Sequence, residues 1–141
     1  MTGKVTFSVL SESHEGMVGS SWRYWIEIKV FNRGLKGQGR IEVPKHKLPS
    51  GTTQEPPGQP LTLEIPVGDC NNDVKIKIRA EATEVDFFSN DSGFADLDVI
   101  LDFPGVGEAP LVQEKDICIG VSEAPRASLI TLKTRLVLVR D

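Results

Sequence analysis

The densest set of side chains that could do chemistry lies between residues 84 and 91. Carboxylate and amide oxygens recur there at short spacing, in Glu84, Asp86, Asn90 and Asp91. Calcium takes about six to eight oxygen ligands from carboxylates, amides, carbonyls and water, and a flexible loop can supply them. The segment therefore predicts a calcium site. The competing interpretation is a solvated turn in which Asx side chains bond to their own backbone.

Catalytic chemistry finds little support. The two histidines, His14 and His46, fall in segments that we predict to be loops, and the sequence contains no motif of the GxSxG or HExxH type. Glu84 and Asp86 do not suggest a glycosidase pair. Residues two apart on a strand would both point into solvent, whereas the carboxylates of such a pair must face each other. The chain is predicted not to be an enzyme.

Two amphipathic strands are predicted to hold the acidic segment. Apolar residues alternate with charged ones over residues 74–82 and, with one exception, over residues 95–101, the period-two pattern of strands with one buried face. The polar stretch 84–93 between them is predicted to be a loop. A second polar loop, 68–73, precedes the first of these strands, so we expect it at the opposite end of the fold.

Similar alternation recurs along the rest of the chain. It predicts further strands at residues 4–10, 22–30, 40–43, 61–67, 113–121 and 128–139. Residues 11–21 are predicted to form a long polar loop. The proline-rich stretch 44–60 is predicted to be a surface connection, because proline cannot donate a ladder hydrogen bond. About eight short strands, with no helical periodicity, predict an all-β fold, a single antiparallel β-sandwich over residues 1–141.

Composition and charge argue against several classes of protein. The net charge of −4 disfavours a general nucleic-acid binder, which carries a basic excess. No apolar run approaches the roughly 20 residues that span a bilayer. The N-terminus has the pattern of a strand and not of a signal peptide, so a cytoplasmic location is expected. Cys70 and Cys118 lack the spacing of a zinc site and are predicted to be free thiols, with one bridge as the alternative.

Basic residues are concentrated between residues 29 and 47, whereas residues 81–123 are strongly acidic. The basic set consists of Lys29, Arg33, Lys36, Arg40, Lys45 and Lys47. It could bind an anionic membrane surface, where each base contributes about 1 kcal/mol, or an acidic protein partner. The alternative is that these charges only keep the surface soluble.

Three aromatic residues lie close together in the strand predicted at 22–30. Alternation places Trp22 and Tyr24 on the buried face and Trp25 on the opposite one. Aromatic faces stack on sugar rings, so Trp25 is the candidate for a carbohydrate or small-ligand site.

The stretch 76–94 resembles a loop of the C-two domains, the calcium- and phospholipid-binding β-sandwiches of protein kinase C and the synaptotagmins. In that family a hydrophobic strand leads into two acids one residue apart, and a further acid follows after several residues. The resemblance implies an eight-stranded antiparallel sandwich. It also implies calcium ligands at Glu84, Asp86 and Asp91, and apolar loop-tip residues at Phe87 and Phe88 that enter lipid.

These observations favour a non-catalytic binding module that engages a membrane or protein through loops at one end, with calcium as its cofactor. One alternative is a structural or assembly protein that self-associates or docks through strand edges or the 44–60 segment. The other is a small-ligand or carbohydrate binder that uses Trp25. Each alternative keeps the same fold and differs in the surface that does the binding.

Overall fold

The structure is a computed structural model that describes residues 2–58, 60–70, 73–86 and 90–140. Within these ranges the chain forms nine strands and no helix. The strands are β1 (Thr2–Gly16), β2 (Ser21–Phe31), β3 (Leu35–Lys47), β4 (Thr52–Gln54), β5 (Thr62–Asp69), β6 (Val74–Val85), β7 (Asn90–Leu101), β8 (Leu111–Glu123) and β9 (Arg126–Arg140).

The strands form two antiparallel sheets that pack face to face. One sheet has the order β4-β1-β9-β8, with β5 also pairing with β1, and the other has the order β3-β2-β6-β7. The predicted antiparallel β-sandwich is confirmed. The count is nine instead of about eight because three residues of the proline-rich stretch, β4, pair with β1 opposite Glu12, Ser13 and His14.

The predicted polar loop at 11–21 is wrong, because β1 continues to Gly16. A β-bulge between Val9 and Ser11 shifts the alternation by one residue, so the next inward positions are Glu12 and His14. Polar residues at inward positions look like a loop in the sequence. In the fold they are buried, and hydrogen bonds satisfy them.

The core lies between the two sheets and contains the inward residues of both. Trp22 and Tyr24 are buried in it, whereas Trp25 is half-buried on the outer face, as their alternation predicted. Cys70 and Cys118 carry free thiols, also as predicted. Among the described residues, no helix is long and apolar enough to cross a membrane.

The two sheets approach each other closely where β7 runs beside β8. A Cβ atom on Gly93 would lie 2.0 Å from the backbone oxygen of Gly120, so only glycine fits at this crossing. The close approach brings the start of β7 beside the end of β8. Residues from different sheets therefore meet at one end of the sandwich.

We call that end the acidic end. It carries the β1–β2 loop, the β6–β7 hairpin and the β8–β9 turn. Asp73 precedes β6 and lies roughly 35 Å along this strand from its last residues, since a strand rises about 3.3 Å per residue. The polar loop at 68–73 is therefore at the opposite end, as expected; Asn71 and Asn72 lie outside the described residues.

Candidate metal centre

Three carboxylates from three strands meet at the acidic end. They belong to Glu84 of β6, Asp91 of β7 and Glu123 of β8, and one oxygen of each lies within 4.8 Å of the others. Glu84 and Asp91 are direct cross-strand partners. Glu123 is the last residue of β8 and reaches them across the junction of the two sheets. We call this group the carboxylate centre.

Glu84 is the buried member of the centre. It is only 3% exposed, and its Oε2 accepts no hydrogen bond from any described residue. Asp91 Oδ2 is likewise buried without a donor. A buried, unsatisfied acceptor of this kind costs about 1–3 kcal/mol, and more when it is charged. The centre therefore has unused acceptors that face one another.

Burial and neighbouring acids raise the pKa values of Glu84 and Asp91. Burial raises the pKa of Glu84 to about 7, and the neighbouring carboxylates of Asp86, Asp91 and Glu123 add to the effect. Burial also raises the pKa of Asp91, together with a hydrogen bond to Glu123 and its charge, while Arg126 acts in the opposite direction. Arg126 is itself paired with Glu123. One guanidinium thus faces several carboxylates, and negative charge is in excess.

The donor set suits a hard cation. All three donors are carboxylate oxygens, which calcium and magnesium prefer, whereas zinc sites favour nitrogen and sulfur. Two oxygens on opposite sides of a calcium ion are about 4.6–5.2 Å apart, against about 4.2 Å for magnesium. The three oxygens all lie within 4.8 Å of one another, close enough to share one ion of either kind.

The β1–β2 loop closes over the centre at Gly19. A Cβ atom there would lie 2.2 Å from Glu84 Cγ, and Gly19 has a φ of +61°, a backbone conformation that favours glycine. Beside this contact lies a groove of about 510 Å³, which we call the lysine groove. Its lining residues are Gly19, Ser20, Ser21, Lys45, Lys47, Glu84, Val85 and Asp86.

The structure brings together three of the four predicted metal ligands. Glu84 and Asp91 belong to the centre, and Asp86 is hydrogen-bonded to Glu84. Asn90 is exposed and pairs with Val85, so by strand alternation it points away from Asp91.

The predicted loop at 84–93 and the solvent-facing Glu84 are both wrong. The strands β6 and β7 pair up to Val85 and Asn90, so strand replaces most of the predicted loop. Glu84 continues the inward series of Ala80 and Ala82 by one more step, which buries it. Glu123 was not predicted as a ligand, because it lies more than thirty positions from Asp91 in the chain. Its only local signal is its place before the Ala124–Pro125 turn.

The predicted partner-contact residues are spread over the molecule. Arg33 and Lys36 lie at the end opposite the centre, and Lys29 and Arg40 lie along the sheet, each near a glutamate. Lys45 and Lys47 line the lysine groove. The basic set therefore does not form one patch. Phe87 and Phe88 lie outside the described residues.

A second polar cluster surrounds Glu12, which is fully buried. The Tyr24 hydroxyl donates to Glu12 Oε1 at 2.7 Å, while His46 Nε2 and the amide of Gln54 contact Oε2 at 2.6 Å and 2.8 Å. Burial, followed by the charge of Glu12, raises the pKa of Tyr24. These contacts attach β2, β3 and β4 to β1.

The two histidines are fixed by neighbouring groups. His14, predicted in a loop, is buried in β1, where Nδ1–H donates to the Leu48 carbonyl at 2.8 Å and Nε2 lies 2.7 Å from Ser128 Oγ. The Ser128 hydroxyl also accepts the N–H of Val18 and is 5% exposed. Through these buried contacts, His14 and Ser128 hold the β1–β2 loop against β9. His46 lies in β3, also not in a loop, and both its ring nitrogens contact oxygens, one of Pro44 and one of Glu12.

Comparison with known proteins does not place this chain in a family. No protein-family model matches this chain, and no curated protein matches it. The resemblance to the C-two domains stays a prediction.

Proposed function

We propose that this β-sandwich is a non-catalytic binding module that holds a calcium ion in the carboxylate centre and uses it to bind an anionic surface. The observation that carries the proposal is the buried Glu84 carboxylate, which faces two further acids and whose Oε2 has no donor among the described residues. A cation between these oxygens would supply the charge that the surrounding residues do not.

A bound calcium ion would also have a structural effect. It would join β6 and β7 of one sheet to β8 of the other, because each strand contributes one carboxylate. Asp86, beside Glu84, is the fourth acid available, and water can complete the coordination. The ion would therefore fix the β6–β7 hairpin relative to the β8–β9 turn.

Calorimetric titration with calcium tests the metal site. We expect the wild type to bind about one ion, and Asp91→Asn to weaken binding by at least about tenfold, because loss of even an outer-shell partner costs 10- to 100-fold. Asp98→Asn, on the exposed outer face of the same strand, is the matched control and should bind like the wild type. Equal binding by both variants, or no heat with wild type, would refute the calcium site.

The lysine groove supports an anionic partner. Lys45 and Lys47 are exposed and line the groove together with Glu84 and Asp86. With the acids neutralised by calcium, the two amines leave the groove positive. An anionic phospholipid headgroup can then contact the ion and the lysines together, with each base contributing about 1 kcal/mol.

Vesicle co-sedimentation tests the membrane step. We expect calcium-dependent binding to phosphatidylcholine vesicles that contain phosphatidylserine, and none to phosphatidylcholine alone. Lys45→Gln with Lys47→Gln should weaken binding roughly 10- to 30-fold. Lys29→Gln with Lys36→Gln removes the same charge away from the groove and should have little effect. Equal losses in both pairs, or binding that survives a chelator, would contradict the proposed role of the groove.

A further inference from the structure

A second groove lies on the outer face of the β3-β2-β6-β7 sheet, on the side turned away from the core. It has a volume of about 520 Å³, within the range of roughly 300–1,000 Å³ typical of small-ligand clefts. We call it the Trp25 groove. Its lining residues are Arg23, Tyr24, Trp25, Arg40, Glu42, Val43, Pro44, Glu81 and Thr83.

The strand register aligns four side chains in a row across the outer face of this sheet. Trp25 of β2 is opposite Glu42 of β3 and Glu81 of β6, and Glu81 is in turn opposite Phe94 of β7. Cross-strand partners have Cβ atoms about 4.5–5.5 Å apart, close enough for a single small ligand to contact neighbours in the row. The row therefore places aromatic and carboxylate groups alternately on one surface.

Contacts within the groove hold these groups in position. Trp25 Nε1–H donates to Glu81 Oε1 at 3.2 Å. The guanidinium of Arg40 lies 4.4 Å from the centre of the indole ring, and its Nε is 2.9 Å from Glu42 Oε1. Phe94 meets the indole edge-on, with the ring centres 6.5 Å apart. The groups are thus oriented before any ligand arrives.

The aromatic residues of the row are more exposed than packing requires. Phe94 is 51% exposed, and Trp25 keeps part of its ring accessible beside the Arg40 guanidinium. At a solvent-facing strand position, a residue with high strand propensity such as threonine is sufficient for the fold. Exposed aromatic residues beside oriented polar groups are instead typical of a binding surface.

Charge and hydrogen-bonding capacity indicate the class of ligand. The charged lining residues are two carboxylates, Glu42 and Glu81, and two guanidinium groups, Arg23 and Arg40, so the groove has no formal net charge. Such a lining does not select an anion or a cation. Carboxylates only accept and guanidinium groups only donate, and a sugar hydroxyl can do both.

We propose that the Trp25 groove binds a neutral oligosaccharide. The apolar C–H surface of a sugar ring packs against the part of the indole that Arg40 leaves uncovered. It also packs against the exposed part of Phe94, whose ring centre lies 5.0 Å from the Arg79 guanidinium. Ring hydroxyls bond to Glu42, Glu81 and Arg23. Alternation turns Thr83 into this groove and Glu84 into the carboxylate centre, so oligosaccharide binding is independent of calcium.

NMR titration of the ¹⁵N-labelled chain, with a chelator present, tests the proposal. The probes are the hexaoses of the cello-, malto-, xylo-, manno- and chito-series at millimolar concentration. We expect at least one to produce saturable shifts confined to the outer-face residues of β2, β3 and β6 and to Phe94 of β7. Trp25→Thr should weaken binding at least about tenfold, as for a central aromatic contact.

A second variant and two controls distinguish loss of binding at the groove from misfolding and from charge-driven binding. Glu81→Gln preserves the side-chain shape and should weaken binding several-fold even if Trp25→Thr does not fold, whereas Asp98→Asn on the same face should leave it unchanged. A sulfated heparin hexasaccharide is the anionic counter-probe. The proposal is overturned if no neutral hexaose binds, if only the sulfated one does, or if Glu81→Gln and Trp25→Thr bind like the wild type.

Discussion

Replacing Glu84 by Gln is expected to raise the melting temperature of the calcium-free protein at pH 8 and to abolish the further rise that calcium produces. Without metal, the substitution removes a buried negative charge that faces Asp91 and Glu123. Removing this charge should stabilise the folded protein by about 1–3 kcal/mol. The melting temperature should then rise by several degrees, since each kcal/mol shifts it by about 2–4 °C. When the calcium concentration is a hundred times its dissociation constant, binding raises the free energy of unfolding of the wild type by about 2.7 kcal/mol. The variant should lack this increase.

The pH dependence has a defined direction. The pKa of Glu84 rises from its ordinary 4.5 to about 7 in the folded protein, so the folded state holds this proton more tightly than the unfolded state. Its contribution to stability is complete below about pH 4.5 and is lost as the pH rises through about 7. Melting curves from pH 5 to pH 8 in a chelator should fall more steeply for the wild type than for Glu84→Gln.

Glu55→Gln is the control for this prediction, because Glu55 is an exposed glutamate outside the centre. It should follow the wild type with and without calcium. If Glu84→Gln melts below the wild type in chelator at pH 8, the buried Glu84 charge is not destabilising. If the variant keeps the full calcium-induced rise in melting temperature, Glu84 is not a ligand.

Replacing Glu12 by Ala is expected to lower the free energy of unfolding by about 3–5 kcal/mol, the cost of breaking a buried charged network. Glu12 is fully buried and bonds to Tyr24, His46 and Gln54. Its removal leaves the Tyr24 hydroxyl without that acceptor and opens a cavity beside β1. Since domains are stable by only about 5–15 kcal/mol, this is a large fraction of the total.

Urea unfolding at neutral pH measures the effect. Glu15→Ala is the matched control, since Glu15 is exposed in the same strand, and it should change stability by less than about 0.5 kcal/mol. If Glu12→Ala does not fold, Tyr24→Phe deletes a single donor and should cost about 1 kcal/mol. A loss below 1 kcal/mol for Glu12→Ala would mean that the network contributes little.

Local alternation in the sequence was enough to predict the fold class and the inward face of most strands. Period-two alternation depends only on neighbouring residues, so it predicted the antiparallel sandwich, the buried Trp22 and Tyr24, and the outward Trp25. It also indicated the acids Glu84, Asp86 and Asp91, because they are close together in the chain. What it could not show was where alternation continued through polar residues, as it does at Glu84.

Which distant groups meet depends on how the strands pack, and local patterns do not record it. Glu123 joins Glu84 and Asp91 because glycine at 93 lets the two sheets approach closely beside the acids. Glu12 and His14 are buried because a bulge turns them inward and because their partners come from β2, β3, β4 and β9. A buried polar residue is stable only if distant strands supply its hydrogen bonds, and no local pattern records whether they do.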